Sequence, residues 1–180
     1  MIAAIFKFDG RLNRAPFWGY SILVFAVILI IQSVVLSSAL GPSVAVLIDQ
    51  LQRGEVPAVT DMISMFTSAG QQMGWIALIL QVLFSYPLAA LCVKRRHDRN
   101  RSGIDVWILI GANLLVTLLM LLGIGMTTTE IQGVAVPAPA QWMQLVQLAL
   151  AIFGLYLFIV LAFLKGTVGT NSYGPDPLQG

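Results

Sequence analysis

Charged residues and cysteines are scarce in this 180-residue chain. Asp, Glu, Lys and Arg make up 10% of the residues, against about a quarter in a typical soluble domain, whereas 58% are hydrophobic. The single cysteine, Cys92, excludes an internal disulfide, and with one histidine the chain cannot supply a zinc-type ligand set. The apolar residues form long blocks instead of the short alternating runs of an outer-membrane barrel, so the composition indicates a helical membrane protein.

Four stretches lack Asp, Glu, Lys and Arg and reach the roughly 20 residues needed to cross about 30 Å of hydrocarbon. They are Phe17–Leu40, Gly74–Val93, Trp107–Met126 and Trp142–Leu164. Aromatic residues stand at or near an end of each stretch, which suits the headgroup zone of a bilayer. The sequence therefore predicts an all-α membrane protein, a bundle of four transmembrane helices in a single domain over residues 1–180.

The distribution of basic residues predicts the orientation of these helices. Nine of the ten Lys and Arg residues lie in residues 1–16, 94–106 and from 165 onward, and the formal charge is +5 on that side and −3 on the other. Because Lys and Arg in short loops are retained in the cytoplasm, both termini are expected to be cytoplasmic. A cleaved signal peptide is the alternative for the first stretch, but its apolar run of about 20 residues exceeds the 7–15 of a signal peptide.

The two connections on the other side differ in character. In residues 41–73, Val44, Leu47, Ile48 and Leu51 share one helical face, so we expect short amphipathic helices in this first external loop. Residues 127–141 are rich in Thr, Pro and Ala and are predicted to be loop.

Two helix starts also carry capping signals. Asn13 precedes the first span, and Ser102 and Asp105 have the spacing of a capping box at the start of the third.

Three polar segments converge at the cytoplasmic face if this topology is right. They are "FKFDGRLNRAPFW", "KRRHDRNRSG" and "KGTVGTNSYGPDP", beginning at Phe6, Lys94 and Lys165. Guanidinium groups bind phosphate bidentately, and glycines let backbone N–H groups approach it, so these segments have the residue types of a phosphate or headgroup site. The candidate ligand- or lipid-binding residues are Arg11, Asn13, Arg14, Arg95, Arg96, His97, Asp98, Arg101, Asn171 and Tyr173.

Three interpretations of this basic cluster stay open. Plain topology and lipid anchoring need no specific site, because each cation beside the membrane gains about 1 kcal/mol from anionic lipid. A specific anionic-ligand site would also explain the interleaved acidic and amide residues; Asp98 is three residues from both Arg95 and Arg101 and can hold them in place. A membrane enzyme using His97 and Asp98 on a lipid headgroup is the weaker alternative, since no catalytic set is recognisable.

A small transporter or channel component is another alternative. It would need the amides Gln32, Gln81 and Asn113 within the spans to line one path, but none is ionisable, as residues in proton relays usually are. The expected partners are anionic membrane lipids, with a homo-oligomer left open; no cofactor, metal or nucleic acid is expected.

The same three segments resemble the DUF805 family, bacterial inner-membrane proteins of the YhaH type. The matching features are "FDGRLNRAPFW", Pro87 followed by "KRRHDRNRSG", and the terminal "KG…GTNSYGPDP". Two features depart from the family pattern: Ile104 stands where Trp is common, and the 41–73 connection is long. The resemblance implies a multi-helix protein of the bacterial inner membrane with no established biochemical role.

Overall fold

The computed structural model describes residues 5–131 and 133–178. It contains four helices, α1 (Arg14–Gln52), α2 (Val59–His97), α3 (Ile104–Leu121) and α4 (Gln141–Ala162). Between α3 and α4, strands β1 (Met126–Ile131) and β2 (Val134–Pro139) pair in an antiparallel hairpin.

All four helices are long and apolar enough to cross a membrane, which confirms the predicted number of spans. Large apolar side chains remain exposed along them; Ile22, Phe25 and Ile30 on α1 are each more than half exposed. A soluble monomer rarely shows so much contiguous apolar surface, whereas lipid covers it in a bilayer.

The structure corrects the prediction of separate short helices in residues 41–73. Residues 41–52 continue α1 through Pro42, and α2 already begins at Val59, so the connection between the two helices is only residues 53–58. At 1.5 Å per residue, each 39-residue helix is about 58 Å long and extends well beyond a hydrocarbon core of about 30 Å. The amphipathic pattern therefore indicated a helical segment correctly. That segment is part of a long helix and is not a separate short one.

Residues 127–141 are also corrected, because most of this predicted loop is the β1–β2 hairpin. Strand β1 contains three consecutive threonines from Thr127 and strand β2 contains two prolines. Branched threonines favour strands, and proline is tolerated because both strands of a two-stranded sheet are edges. Gly133, at φ +80°, lies where the chain reverses. Strand β2 contacts α2, so the hairpin lies against the bundle.

Neither predicted side-chain cap forms. Asn13 is the N-cap of α1 by position, but its side chain makes no capping hydrogen bond. The N-cap of α3 is Gly103, at φ +76°, and not Ser102. A Cβ at Gly103 would lie 3.2 Å from Val93, so both its left-handed backbone and its close approach to α2 favour glycine.

The bundle has two different ends. The junction end gathers residues 5–18, 94–106 and 161–178, and the buried apolar cluster of Leu12, Phe17, Val24, Leu91 and Leu161 lies beside it. The hairpin end holds the β1–β2 hairpin with the last residues of α1 and the first of α2. The described residues before α1 and after α4 therefore lie at the junction end.

Candidate functional site

Asp98 lies at the centre of the junction end and is 3% exposed. Its carboxylate Oδ1 accepts hydrogen bonds from Arg11 Nε at 3.2 Å and Nη2 at 3.1 Å, and Oδ2 pairs with Arg95 Nη1. Its backbone oxygen accepts from both Thr167 N at 2.8 Å and Thr167 Oγ1 at 3.0 Å. One residue thereby ties the end of α2 to the chain before α1 and the chain after α4.

Arg95 is fully buried, and its guanidinium group serves the end of α4. Nε donates to the backbone oxygen of Leu161 at 2.8 Å, and Nη2 donates to that of Leu164. The last carbonyls of a helix have no partner within the helix and carry partial negative charge, so a cation here both satisfies and stabilises them.

The two carbonyls between these also receive side-chain donors, both from α1. Trp18 Nε1 donates to Ala162 O at 3.3 Å, and Arg14 Nη1 donates to Phe163 O at 3.3 Å. Trp18 also packs edge-to-face on Phe158, with ring centroids 6.0 Å apart. Because unsatisfied carbonyls are costly near hydrocarbon, the first and second polar segments together cap the final helix.

Arg11 also holds the C-terminal segment in place through both of its terminal nitrogens. Nη2 donates to Thr167 O at 2.6 Å, and Nη1 donates to Gly169 O at 2.6 Å and Gly174 O at 3.3 Å. Its side chain is only 1% exposed. All of its nitrogens are therefore committed within the chain.

His97 and Asn171 form the outer layer of the junction. The His97 ring stacks on Tyr173, with centroids 3.9 Å apart and an angle of 6° between planes, and His97 Nδ1 lies 3.2 Å from Gly10 O. Asn171 Nδ2 donates to His97 O at 2.9 Å, while its Oδ1 accepts from Tyr173 N at 2.8 Å. These contacts fix the turn of the C-terminal segment against the end of α2.

Arg96 forms an ion pair near the start of α3, whereas Arg101 is exposed to solvent. Arg96 pairs with Asp105 at the start of α3, with Nε 3.2 Å from Oδ1, and so braces the connection between α2 and α3. Arg101 is exposed, and its side chain lies outside the network of described hydrogen bonds and ion pairs. Because α2 ends at His97, the predicted helical spacing from Asp98 holds for Arg95 but not for Arg101.

Gly166 lies where the C-terminal segment passes closest to Asp98. A Cβ built on Gly166 would overlap the Asp98 carboxylate, with Cγ only 2.6 Å away. Glycine is therefore required by space here, although its φ is not in the left-handed region.

Asp176 closes the C-terminal segment on itself. Its Oδ1 accepts from Leu178 N at 3.0 Å and its Oδ2 from Gly169 N at 2.8 Å. These backbone N–H groups stabilise the ionised carboxylate and lower the pKa of Asp176 below its ordinary 3.8, against a smaller opposing effect of burial.

A groove of about 670 Å³ opens beside the junction, between the start of α1 and the chain that follows α4. We call it the headgroup groove. Its cations include Arg14 and Lys165, and Asn13, Trp18 and Gly166 also line it. Asn13 Oδ1 is buried without a hydrogen-bond partner, the one such atom among the side chains that the structure describes. Buried polar atoms normally have partners, so this atom is an exception among the polar groups around the junction.

Nine of the ten predicted site residues therefore fall into two groups, and one lies outside them. Arg11, Arg95, Arg96, Asp98, Asn171, His97 and Tyr173 are engaged within the junction, Asn13 and Arg14 line the headgroup groove, and Arg101 lies outside both.

Sequence reasoning on single residues missed Lys165 in the groove and Gly166, Thr167 and Asp105 in the network. The terminal motif "KG…GTNSYGPDP" was the signal for the first three of these. Within the described parts of the chain, no three His, Cys, Asp or Glu residues are grouped so as to hold a metal ion.

The intramembrane amides lie apart from the junction. Thr117 Oγ1 donates to Gln81 Oε1 at 3.0 Å, and Asn113 Nδ2 donates to Leu109 O at 2.8 Å. Gln32, by contrast, is exposed on α1. The first pair fits helix–helix bonding, which contributes about 0.6–2 kcal/mol per contact.

Four apolar helices with a polar network at one end define the class of this chain, a multi-pass membrane protein. The chain belongs to the DUF805 family, described as proteins of unknown function, whose family pattern matches residues 5–175. Searches among curated proteins and solved structures found no match.

Proposed function

We propose that this protein is a non-enzymatic, ligand-binding membrane protein whose headgroup groove binds a phosphate-bearing anion at the membrane surface. The carrying observation is the unpartnered, buried Asn13 Oδ1 in a groove that Arg14 and Lys165 also line. A lipid headgroup and a soluble phosphate compound share this chemistry.

Charge supports an anionic ligand. Three cations and two carboxylates line the groove, but Asp98 is paired with Arg11 and Arg95, and Asp176 is held by backbone N–H groups. Arg14 uses one nitrogen for Phe163 O, and Lys165 makes no hydrogen bond or ion pair within the described residues. The cations with donors left to offer are therefore those two, and phosphate is a suitable acceptor for both.

The unpartnered oxygen of Asn13 adds a second requirement. An amide oxygen accepts hydrogen bonds, so the ligand should carry a donor such as a hydroxyl or ammonium group beside its phosphate. Phosphatidylglycerol has both a phosphate and hydroxyl donors, which makes it a suitable probe.

Binding of phosphatidylglycerol tests the proposal. Protein purified in detergent and stripped of lipid is titrated with the lipid and examined by native mass spectrometry. Lys165→Ala should weaken binding by roughly tenfold, because a charge-assisted hydrogen bond contributes about 1.5 kcal/mol. Arg101→Ala, which removes an exposed cation from the same end, is the matched control and should leave binding unchanged. Equal binding by both variants and the wild type would overturn the proposal.

We also propose that the protein lies in the inner membrane of a bacterium and that its junction end faces the cytoplasm. The excess of Lys and Arg at this end supports that orientation, and four helices return the chain to its starting side. Reporters fused after Glu55 and at the C-terminus test it; a cytoplasmic signal from the first or an external signal from the second would refute it.

The two alternative functions gain no support from the observed contacts. Transport required three amides along one path, but Gln32 is exposed on α1 while Gln81 bonds to Thr117 between α2 and α3. Headgroup chemistry required open His97 and Asp98 side chains, but the first stacks on Tyr173 and the second is paired with two arginines.

A further inference from the structure

A second groove, of about 770 Å³, opens on the apolar surface of the bundle next to the junction. Its lining is almost entirely apolar and comes from all four helices, with α1 supplying the longest row of residues. These are Phe17, Trp18, Ser21, Ile22, Phe25, Ala26 and Leu29. Opposite them stand Leu109 of α3 and Phe158 of α4, and we call this space the acyl groove.

The two grooves meet at Trp18, which lines both. At the start of α1 the change of character is abrupt: Asn13, Arg14 and Ala15 line only the headgroup groove, Trp18 lines both, and the remaining lining residues from Phe17 to Leu29 belong to the acyl groove. On α4 the same change occurs between Ala162 and Leu161. A polar groove and an apolar groove thus follow each other along the helices, in the order in which a lipid molecule carries its headgroup and acyl chains.

The length of the acyl groove fits one leaflet. From Phe17 to Leu29 the helix rises about 18 Å at 1.5 Å per residue, which is a little more than half of a hydrocarbon core of about 30 Å. An apolar groove of this length beneath a cationic one suits a single acyl chain.

We infer that the ligand of this site is an intact membrane phospholipid, with its phosphate headgroup beside Arg14 and Lys165 and one acyl chain in the acyl groove. The inference rests on the proposed function, since it names the ligand class of the same site. A soluble phosphate compound would use the headgroup groove alone.

The test compares two probes on four proteins. The probes are phosphatidylglycerol with palmitoyl and oleoyl chains, measured by native mass spectrometry, and its deacylated headgroup glycerophosphoglycerol, measured by ligand-observed NMR. The proteins are the wild type, Ala26→Phe, which fills the acyl groove, Val27→Phe, which adds a ring to the same helix outside the groove, and Lys165→Ala.

We expect Ala26→Phe to weaken binding of the acylated lipid by roughly tenfold, as displacing about two methylenes would, and to leave headgroup binding unchanged. Val27→Phe should bind both probes like the wild type. Lys165→Ala should weaken both. Ser21→Phe fills the groove at a different level and repeats the test if Ala26→Phe does not fold.

Each other outcome is decisive. Lipid binding by both filling variants at the wild-type level would overturn the acyl groove, and a loss in Lys165→Ala would then leave the proposed function standing. Unchanged binding of both probes to Lys165→Ala would overturn the proposed function itself. A filling variant that alters only the oligomeric state would show that a second copy of the chain occupies the groove, which would also overturn the inference.

Discussion

At the junction end, the ion pairs of Asp98 with Arg11 and Arg95 have side-chain exposures of 4% or less. At the hairpin end, Arg53 pairs with Asp49 at 2.6 Å, but the two side chains are 65% and 56% exposed. The short distance of the outer pair does not make it more important, because exposed ion pairs contribute about 0–1 kcal/mol, whereas breaking a buried pair leaves an uncompensated charge.

The difference also concerns what each end connects. Asp49 and Arg53 lie one turn apart at the end of α1, so their pair links nothing distant in the chain. Asp98, by contrast, bonds to Arg11, which lies 87 residues earlier in the chain, and to Thr167, which lies 69 residues later. The junction end therefore fixes the relative positions of the chain segments, and it does so beside the headgroup groove.

The largest loss of stability is expected for Asp98→Asn. It should cost about 3–5 kcal/mol of unfolding free energy, because two buried arginines lose their anionic partner. Asp49→Asn at the hairpin end should cost no more than about 0.5 kcal/mol. Denaturant unfolding in mixed micelles measures both, and similar losses in the two variants would contradict the contrast between the ends.

A glycine pair sharpens the same contrast by changing one methyl group at each end. Gly166→Ala should destabilise the protein by about 1–3 kcal/mol, because its Cβ overlaps the Asp98 carboxylate. Gly70→Ala, on α2 toward the hairpin end, meets nothing within 4 Å and should be neutral or stabilise by up to about 1 kcal/mol. Thermal unfolding of the two variants tests this, and the idea fails if Gly166→Ala unfolds like the wild type.

Sequence predicted the hairpin end less well than the spans. Hydropathy identifies the residues that lie in hydrocarbon but not the ends of a helix. The prediction therefore missed that α1 continues to Gln52 and that α2 already begins at Val59. The hairpin was not predicted because Thr, Pro and Ala are also loop residues. In the structure its strands pair with each other and β2 contacts α2, and no local pattern records these contacts.

At the junction end, sequence predicted the meeting of three segments but not the role of each cation. Arg95, Arg96 and Arg101 are alike in type and in their sequence neighbours, but their environments differ. Arg95 is buried, Arg96 pairs with Asp105 at the start of α3, and Arg101 is exposed. Their fates depend on where α2 stops and which way each side chain then points, and those are tertiary properties. The pairing of Asp98 with Arg95 was predictable because it needs only helical spacing.

Asn13→Leu examines the groove by removing its unpartnered oxygen. Without ligand, stability should stay the same or rise by up to about 1 kcal/mol, since a buried polar atom without a partner is lost. Affinity for phosphatidylglycerol should fall about fivefold if the ligand donates to this oxygen. Gln50→Leu, near the end of α1 at the hairpin end, is the control and should not change affinity. A lower stability without ligand and an unchanged affinity would assign Asn13 a structural role only.

The smallest expected effect concerns the pH dependence of the C-terminal segment. Because its folded-state pKa is lowered by the N–H groups of Leu178 and Gly169, ionised Asp176 stabilises the fold above its ordinary pKa of 3.8. That contribution is lost as pH falls through the lower folded-state pKa. The unfolding midpoint of the wild type should therefore exceed that of Asp176→Asn by a constant margin between pH 5 and 7, which narrows below about pH 4. A margin that widens on acidification would mean that the fold does not stabilise the charged form of the carboxylate. The hydrogen bonds of Asp176 would then not explain the conformation of the terminal turn beside the headgroup groove.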